Sequence, residues 1–422
     1  LFSLTPAVHL SRSEIRPGLT EGSRGSTGNA WRHLGSKLIV IELATAMVLL
    51  VAAGLLGKSL YRLLRVDVGF EADRLLMLQV AAPRSSYANG AQAAAFARRV
   101  LDRIAGLPGV NSVGLTTDIP ISHWGDTTWF RIVGRPWHGE HNDTPERDVS
   151  PGYFTTIGAR LLRGRYFLEN EDASKPRVAI VNRALAQQFF PGQDPIGQQI
   201  SGLASDAKPI QIIGLIENIK EGALDTANRP VLYFPFNQTP ASYFILVVRT
   251  SQAGESLLPS ISSAVHRINP AVVTAGGATM NERINDSQSA YLHRSSAWLV
   301  GSFAVFALLL GAIGLYGVVA YSVSQRTREI GIRMALGAER ASVYRLILRE
   351  AGRLTALGVA TGLIASLAAG TLLRGLLFSV RSWDIPTLAA VAAVLAIAAL
   401  FASFLPARRA AAVNPVEALR AE

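Results

Sequence analysis

The chain contains no cysteine, few histidines and few charged residues. Of its 422 residues, seven are histidine and only 17% are charged. The absence of cysteine excludes disulfides and thiolate chemistry, so any folded domain must be stabilised by its own apolar core. A soluble globular protein usually carries about 25% charged residues. The low charge therefore indicates that much of this chain lies in lipid.

The residues required for most hydrolytic and metal chemistry are also missing. The sequence has no H-E-x-x-H zinc motif and no G-x-S-x-G nucleophile elbow. His138 and His141 share a polar loop with Glu140 and Asp143, and we interpret this loop as solvated rather than as a metal site. The sequence predicts no catalytic residue, no metal and no enzyme activity in this chain.

One stretch imitates a nucleotide-binding loop. Residues 52–59 read AAGLLGKS, which ends like the phosphate-binding pattern G-x-x-x-x-G-K-S. The first position is Ala52 rather than glycine, and the stretch closes an apolar run rather than following a strand. We therefore expect no bound nucleotide and no other cofactor in this chain.

Four segments are long enough to cross a bilayer, whose hydrocarbon core requires about 20 helical residues. Residues 295–325, 354–373 and 385–407 contain no charge, and residues 38–57 contain only Glu42. In chain order, we predict 38–57, 295–325, 354–373 and 385–407 as transmembrane helices 1 to 4.

Positive charge is concentrated beside the ends of these segments. Residues 326–353 contain seven arginines against three glutamates, which by the positive-inside rule places them in the cytoplasm. Both termini, including the 408–422 tail, are then cytoplasmic, and residues 58–294 form an extracytoplasmic domain. The net charge of +11 is not interleaved with aromatic residues, so it predicts contacts with membrane lipids and not with nucleic acid.

The extracytoplasmic domain begins and ends with the same order of predicted elements. These are strand 75–81, helix 91–107, strand 110–115, and then strand 243–250, helix 255–268 and strand 271–274. We expect residues 58–122 and 241–294 to pair into one membrane-proximal β-α-β subdomain, with 123–240 as a distal insert.

The insert shows its own sequence of turns and apolar runs. The patterns predict a helix opening at 149–154, a turn at 162–165, a strand at 178–181, a helix at 183–190, a turn at 191–197, and strands at 210–216 and 231–234.

The run from Arg328 to Ala338, REIGIRMALGA, looks like the cytoplasmic signature of the MacB/FtsX-type ABC transporter permeases. The order of elements in the outer domain resembles the MacB-like periplasmic core domain. The C-terminal run 406–420, PARRAAAVNPVEALR, resembles the cytoplasmic tail of the same family. The resemblance implies an α+β membrane protein with four transmembrane helices and a large two-subdomain α/β extracytoplasmic domain between helices 1 and 2.

In that family, the segment after the second membrane helix docks on the ATPase. The resemblance therefore assigns ATPase coupling to residues in 326–353, namely Arg326, Arg328, Glu329, Gly331, Arg333, Ala335, Gly337 and Ala338. By composition alone, the segment is also explained as a solvated, lipid-anchoring basic helix. Apolar residues at helical spacing predict an amphipathic helix at the membrane surface before the third span; they are Val343, Leu346, Ile347 and Leu354.

Two features lie inside the predicted spans. Glu42 is a candidate for a polar seam between helices, because ionisable groups in membranes are usually functional; the alternative is a shallow carboxyl that reaches the interface or pairs with Lys37. Gly311, Gly314 and Gly317 recur every three residues and permit close approach at a seam between two permease halves.

The first 37 residues resemble the end of the chain. Pro6-Ala7 and Pro406-Ala407 each precede a second proline and a leucine at similar distances. We interpret residues 1–37 as the cytoplasmic tail of an upstream repeat with a linker, and the chain as the C-terminal half of a duplicated permease. The permease half that pairs with this chain would be that upstream repeat or another copy of the chain.

Two functions are compatible with these patterns. The first is a permease subunit of an ABC-type exporter in a bacterial inner membrane. It would couple ATP hydrolysis by a partner subunit to outer-domain motion that expels a hydrophobic, amphipathic, peptide or lipoprotein cargo. The second is an FtsX-like signalling or scaffold protein that regulates an extracytoplasmic partner and transports nothing.

Overall fold

The computed structural model describes residues 26–412, apart from 84–86, 88, 123–124, 137, 141, 203–207, 253–254 and 337. Of residues 26–34, it describes the backbone only. The predicted upstream-repeat tail before residue 26 and the C-terminal tail from residue 413 lie outside the described residues.

The described residues form ten α-helices and eleven β-strands. The helices are α1 Ser26–Leu63, α2 Gly90–Ala105, α3 Tyr153–Ile157, α4 Arg183–Phe189, α5 Leu258–Ile268, α6 Met280–Asn285, α7 Gln288–Gln325, α8 Thr327–Ala335, α9 Arg340–Leu372 and α10 Ile385–Ala411. The strands are β1 Leu75–Ala81, β2 Val110–Thr116, β3 Thr127–Ile132, β4 Asn142–Val149, β5 Leu161–Gly164, β6 Val178–Asn182, β7 Gln199–Ser201, β8 Ile210–Ile216, β9 Leu232–Pro235, β10 Tyr243–Thr250 and β11 Val273–Thr279.

The chain divides into two compact units. The α/β unit is Gly57–Ser296, and the bundle unit contains the residues up to Leu56 together with those from Ala297 onward. Within the described part of the chain, four helices are long and apolar enough to cross a membrane, and each includes one predicted segment: Gly35–Leu63, Gln288–Gln325, Arg340–Leu376 and Ile385–Ala411.

The first part of the α/β unit is one antiparallel sheet with two helices. Strand order β11-β1-β10-β2 interleaves the units β1-α2-β2 and β10-α5-β11, which is the split β-α-β arrangement. The two sequence-distant units thus share one sheet. Helix α2 begins where the Asn89 side chain accepts a hydrogen bond from Gln92 N at 2.9 Å. Its buried face, which includes Phe96 and Val100, packs in the apolar core of this sheet.

The insert folds into a closed ring of strands. Successive pairings join β4 to β3, β7, β8, β6 and β9, and β9 pairs with β4 again. We call this ring the barrel lobe; closure gives each of its six strands two pairing partners. Its core contains Phe130, Val181, Ile212 and Leu232. A single bridge between Thr116 and Val149 continues the first sheet into the barrel lobe.

The structure corrects two predictions about local elements. Residues 162–165 were expected to form a turn, but Leu161–Gly164 is strand β5, because it finds a pairing partner in β8. The amphipathic stretch with Val343, Leu346, Ile347 and Leu354 is not a separate surface helix. It is the beginning of α9, which runs to Leu372 because no proline interrupts it.

In the bundle unit, α1 lies at the centre of the apolar core. Leu43 and Met47 of α1 are at most 3% exposed. A Cβ placed on Gly358 of α9 would lie 2.6 Å from Leu43 Cβ, and one on Gly362 would lie 2.6 Å from Met47 Cβ. These distances are too short for any side chain, so glycine permits the close packing of α9 on α1.

We expect Gly362→Leu to destabilise the bundle unit by about 1–3 kcal/mol, because the new side chain overlaps Met47. Gly352→Leu on the same helix is the matched control, since a Cβ there meets nothing within 4 Å. Thermal unfolding of both variants in one detergent measures the difference. Equal melting temperatures would contradict the packing of α9 on α1.

A second prediction concerns Asp148 at the end of β4. Burial raises the pKa of this carboxyl from 3.8 to about 6, although the Thr239 hydroxyl donates a hydrogen bond to it at 2.8 Å. A raised acid pKa means that the folded state binds the proton more tightly, so stability falls as pH rises from 4 through 6. A rise of about 2 in the pKa corresponds to a change of roughly 3 kcal/mol in the free energy of unfolding.

We therefore expect Asp148→Asn to unfold at a higher temperature than the parent at pH 7.5 and to lose that advantage near pH 4.5. Asp172→Asn is the control, because the hydroxyl of Ser174 and a backbone amide lower the pKa of the exposed Asp172. Melting curves at the two pH values check the prediction. A pH-independent difference for Asp148→Asn would refute it.

Candidate functional site

The loop between the second and third long helices folds into a short helix of its own. Helix α7 ends at Gln325, Arg326 has φ −111° and interrupts the helical backbone, and α8 starts at Thr327. After α8 the chain turns and re-enters a helix at Arg340. A nine-residue helix is therefore held between the ends of two long helices.

Helix α8 has two distinct faces. Ile330 and Gly331 are buried, and Ile330 packs in the core of the bundle unit. The opposite face is exposed and carries the ion pair Arg333 Nη2–Glu329 Oε1 at 2.6 Å.

Two apolar side chains beside that ion pair are exposed to solvent. Ile332 is 43% exposed, and Leu336, just after α8 ends, is 82% exposed. We call the set Glu329, Ile332, Arg333 and Leu336 the α8 face. Apolar side chains rimmed by charges are typical of a protein-binding surface.

A polar junction joins the end of α7 to the beginning of α9. The Ser322 hydroxyl donates to the Glu350 carboxylate at 3.3 Å, and Arg326 Nη1 lies 3.6 Å from Glu350 Oε2. Direct charge-assisted hydrogen bonds are about 2.7–2.9 Å long, so these contacts are loose. A cavity of about 20 Å³ lies between them and is lined in part by Ile330 and Leu354. That volume accommodates one water.

The sequence-predicted coupling residues lie in different environments in the structure. Arg328, Glu329, Arg333 and Ala335 are exposed on α8. Gly331 is buried against the rest of the bundle unit, and Arg326 belongs to the polar junction with Glu350. Ala338 is half-buried after α8, and Gly337 lies outside the described residues.

Sequence reasoning missed Ser322, Glu350, Ile332 and Leu336. Ile332 and Leu336 are inside the recognised signature, and their exposure becomes visible only once α8 is oriented. Glu350 gave one weak signal, as one of three acids among seven arginines in 326–353. Its partner Ser322 is 28 residues away, in another helix.

The glycines of α7 face a different neighbour from the one expected. A Cβ on Gly311 would lie 3.3 Å from Leu43 of α1, and one on Gly314 would meet the Glu42 carboxylate. These two glycines therefore pack against α1 of the same chain. Gly317 is exposed, and a Cβ there meets nothing within 4 Å. The place of the three glycines in a seam with a second permease half stays a prediction.

Glu42 lies where α1 and α7 touch. Its carboxylate fits beside α7 because residue 314 has no side chain. The position is a helix contact, as a polar seam requires, and its role in function stays a prediction.

In the predicted metal-free loop of the α/β unit, His138 Nδ1 lies 3.3 Å from Glu140 Oε1, and both side chains are exposed. His141 lies outside the described residues. Among the residues that the structure does describe, no cluster of three or more metal-ligating side chains occurs.

Two family models match the chain. The model of the MacB-like periplasmic core domain matches residues 38–283, which is more than half of the chain. The model of the FtsX-like permease C-terminal region matches residues 301–415, which include the α8 face and the polar junction.

Several named proteins are similar to this chain in sequence. The pyoverdine export ATP-binding/permease protein PvdT of Pseudomonas savastanoi pv. phaseolicola is 28% identical over 100% of this chain and 64% of its own length. The macrolide export ATP-binding/permease protein MacB of Marinobacter nauticus is 30% identical over 62% of this chain and 41% of its own length. The uncharacterized ABC transporter permease YknZ of Bacillus subtilis is 25% identical over 80% of this chain and 82% of its own length.

The chain thus spans 64% and 41% of the length of the first two of these relatives. The matches cover both units: the core-domain model includes most of the α/β unit, and the permease model covers α7 from residue 301 and all of α8 to α10. The chain is therefore a multi-pass membrane protein with a large extracytoplasmic domain, and it belongs to the MacB/FtsX-type family of ABC transporter permeases.

Proposed function

We propose that this chain is the permease part of an ABC exporter. It converts ATP binding and hydrolysis by a partner ATPase into motion of its extracytoplasmic domain. That motion expels a hydrophobic, amphipathic, peptide or lipoprotein cargo. The names of PvdT and MacB describe export by proteins that combine ATP-binding and permease parts, which supports an exporter.

The observation that carries this proposal is the continuity of α7, a single helix that begins in the α/β unit and continues into the bundle unit. The helix has 38 residues and is therefore ~57 Å long at 1.5 Å per residue. Its first residues belong to the α/β unit, and it ends next to the α8 face. A push received by α8 has an unbroken helical path across a hydrocarbon core of about 30 Å.

The α8 face is the proposed ATPase contact. Its exposed Leu336 supplies an apolar anchor, and the Glu329–Arg333 pair supplies charges that fix the register of a partner. In this arrangement, the loop faces the cytoplasm of a bacterium, both termini lie on the same side, and the permease resides in the inner membrane. The arginines of 326–353 support that orientation through the positive-inside rule.

The polar junction is the proposed transmission point. The loose contacts of Glu350 with Ser322 and Arg326 join α7 to α9 next to α8. An interaction at 3.3–3.6 Å changes length at little energetic cost, so the junction tightens or opens when α8 moves.

A second permease half is the other proposed partner. The outer surface of α7 carries large exposed apolar side chains, which are Trp298, Leu299, Phe303, Phe306, Leu310 and Ile313. This surface faces lipid or the second half, supplied by an upstream repeat or by another copy of this chain.

An FtsX-like scaffold function is the alternative. It is favoured by the exposure of two apolar side chains on the barrel lobe, Trp129 at 48% and Val133 at 42%. Such side chains fit an extracytoplasmic protein partner. Under this alternative the partner binds there, and ATP hydrolysis moves no cargo.

We expect Leu336→Asp and Glu329→Arg each to lower association with the ABC ATPase about tenfold or more, because both remove complementary contacts of the α8 face. Co-purification from membranes and ATPase stimulation measure the effect. Glu169→Arg, an exposed acid in the α/β unit, is the control. An ATPase retained by both α8 variants would contradict the assignment of this face. If the parent instead co-purifies with an extracytoplasmic protein and no ATPase, the scaffold function is supported.

The polar junction yields a separate expectation. Arg326→Glu and Glu350→Arg should each lower ATP-driven transport, since like charges then face each other; the double variant should recover part of it. The pair is partly exposed, so static stability should change by less than about 1 kcal/mol. The same swap at Arg163–Asp194, an exposed pair of the barrel lobe, should leave transport unchanged. Transport in reconstituted vesicles is the measurement, and failure of the double variant to recover would count against the junction.

A further inference from the structure

The barrel lobe contains a long loop with an unusual degree of burial. Residues 217–231 connect β8, which ends at Ile216, to β9, which starts at Leu232. They contain no helix or strand, yet Ile219, Leu224 and Val231 are at most 1% exposed. Long irregular loops that pack through their own side chains are frequently functional. We call residues 217–231 the tie loop.

A buried ionic network fixes the base of the tie loop. The Glu221 carboxylate accepts a hydrogen bond from Arg147 Nε at 3.1 Å and another from the Tyr233 hydroxyl at 2.7 Å. Arg147 also lies 3.2 Å from Asp118, and the side chains of Arg147 and Glu221 are both 3% exposed. Removing one partner would leave a buried charge without compensation. The network therefore holds the loop in one position relative to β4 and β9.

The tie loop also holds the segment that follows α1. Lys220 N donates to Val68 O at 3.0 Å, and Ile121 N donates to Lys220 O at 2.8 Å. Val68 lies five residues after α1 ends at Leu63. At Gly69, with φ +77°, a Cβ would overlap the backbone carbonyl of Asn218, so only glycine permits this approach. The loop is thus in direct contact with the chain that leaves the first long helix.

The far side of the tie loop binds the start of α7. The Ser289 hydroxyl donates to Asp225 Oδ1 at 2.8 Å, and Ser289 is only 3% exposed. Ser289 is the second residue of α7, and one turn later His293 Nδ1 lies 2.9 Å from Ser289 O. Because α7 then continues without interruption to Gln325, the loop is connected to the helix that we propose as the transmission path.

We propose that the tie loop makes the barrel lobe and α7 move as one body, with Asp225 and Glu221 as the positioning residues. The inference rests on the proposed function of α7 and identifies the place where its motion enters the extracytoplasmic domain. The tie loop contacts the segment after α1, the β2–β3 connection at Ile121 and the first turn of α7. A displacement of α7 would therefore reach the ring of strands through this loop.

The absence of cysteine makes a direct test possible, because two introduced cysteines take spin labels without background. The labels are placed on the full-length protein in lipid nanodiscs at Gln188→Cys, exposed on α4, and at Ser302→Cys, exposed on α7. The width of the distance distribution between them reports whether the barrel lobe and α7 are linked. This measurement requires no ATPase.

The variants are Asp225→Ala and Ser289→Ala, which each remove the bond between loop and helix. Asp172→Ala is the matched control, because Asp172 accepts a similar hydrogen bond from the Ser174 hydroxyl without contacting α7. We expect a narrow distribution in the parent and in the control, and one about twofold wider in the two test variants, since loss of a link admits a second population. Melting temperatures report whether all variants remain folded.

The second readout is ATP-driven transport with the partner ATPase, which should fall about fivefold in Asp225→Ala and remain unchanged in the control. Widths that stay the same in folded Asp225→Ala and Ser289→Ala proteins would overturn the proposal. Widening without any ATP-driven transport in the parent would instead support the tie loop and contradict the exporter function, so the two failures are distinguishable.

Discussion

The close contact of α1 with its neighbours is the constraint on which the membrane part of this protein depends. In a bilayer, apolar side chains gain nothing by leaving lipid for another helix, so helices associate through tight van der Waals packing. The chain meets this requirement with glycines: Gly358 and Gly362 on α9 face Leu43 and Met47 of α1. Helix α10 also packs closely on α1, because a Cβ on Gly54 of α1 would lie 2.7 Å from the methyl group of Thr387.

The contacts of α7 differ from those of α9. Gly314 of α7 leaves room for the carboxylate of Glu42, which places an ionisable group between two helices that are otherwise apolar. At its end, α7 is joined to α9 by Ser322, Arg326 and Glu350 instead of by close glycine packing. Polar contacts rearrange at lower energetic cost than interlocked backbones, so the junction of α7 with α9 opens more easily than the glycine contact of α9 with α1.

The sequence alone was sufficient to predict the elements that depend on long runs of apolar residues. The uncharged segment 295–325 identified the core of α7, and the strands over 75–81 and 243–250 coincide with β1 and β10. It was insufficient where partners are distant. Strand β4 was missed because its sequence NDTPERDV contains a proline and four charges, and only its pairing with β3 and β9 makes it a strand. The role of Glu350 depends on Ser322 in another helix, and no local pattern encodes that proximity. The family signature located α8, but it did not show that Gly331 faces inward while Leu336 faces outward.

Site-specific photocrosslinking tests whether the α8 face receives the ATPase. A photoreactive amino acid is introduced in place of Leu336, which is 82% exposed, and separately in place of Leu372, which is 87% exposed at the other end of α9. Both proteins are irradiated in native membranes with nucleotide present. We expect an ABC ATPase to be crosslinked from position 336 and none from position 372. A folded protein that crosslinks no ATPase from position 336, or the same ATPase equally from both positions, would contradict it.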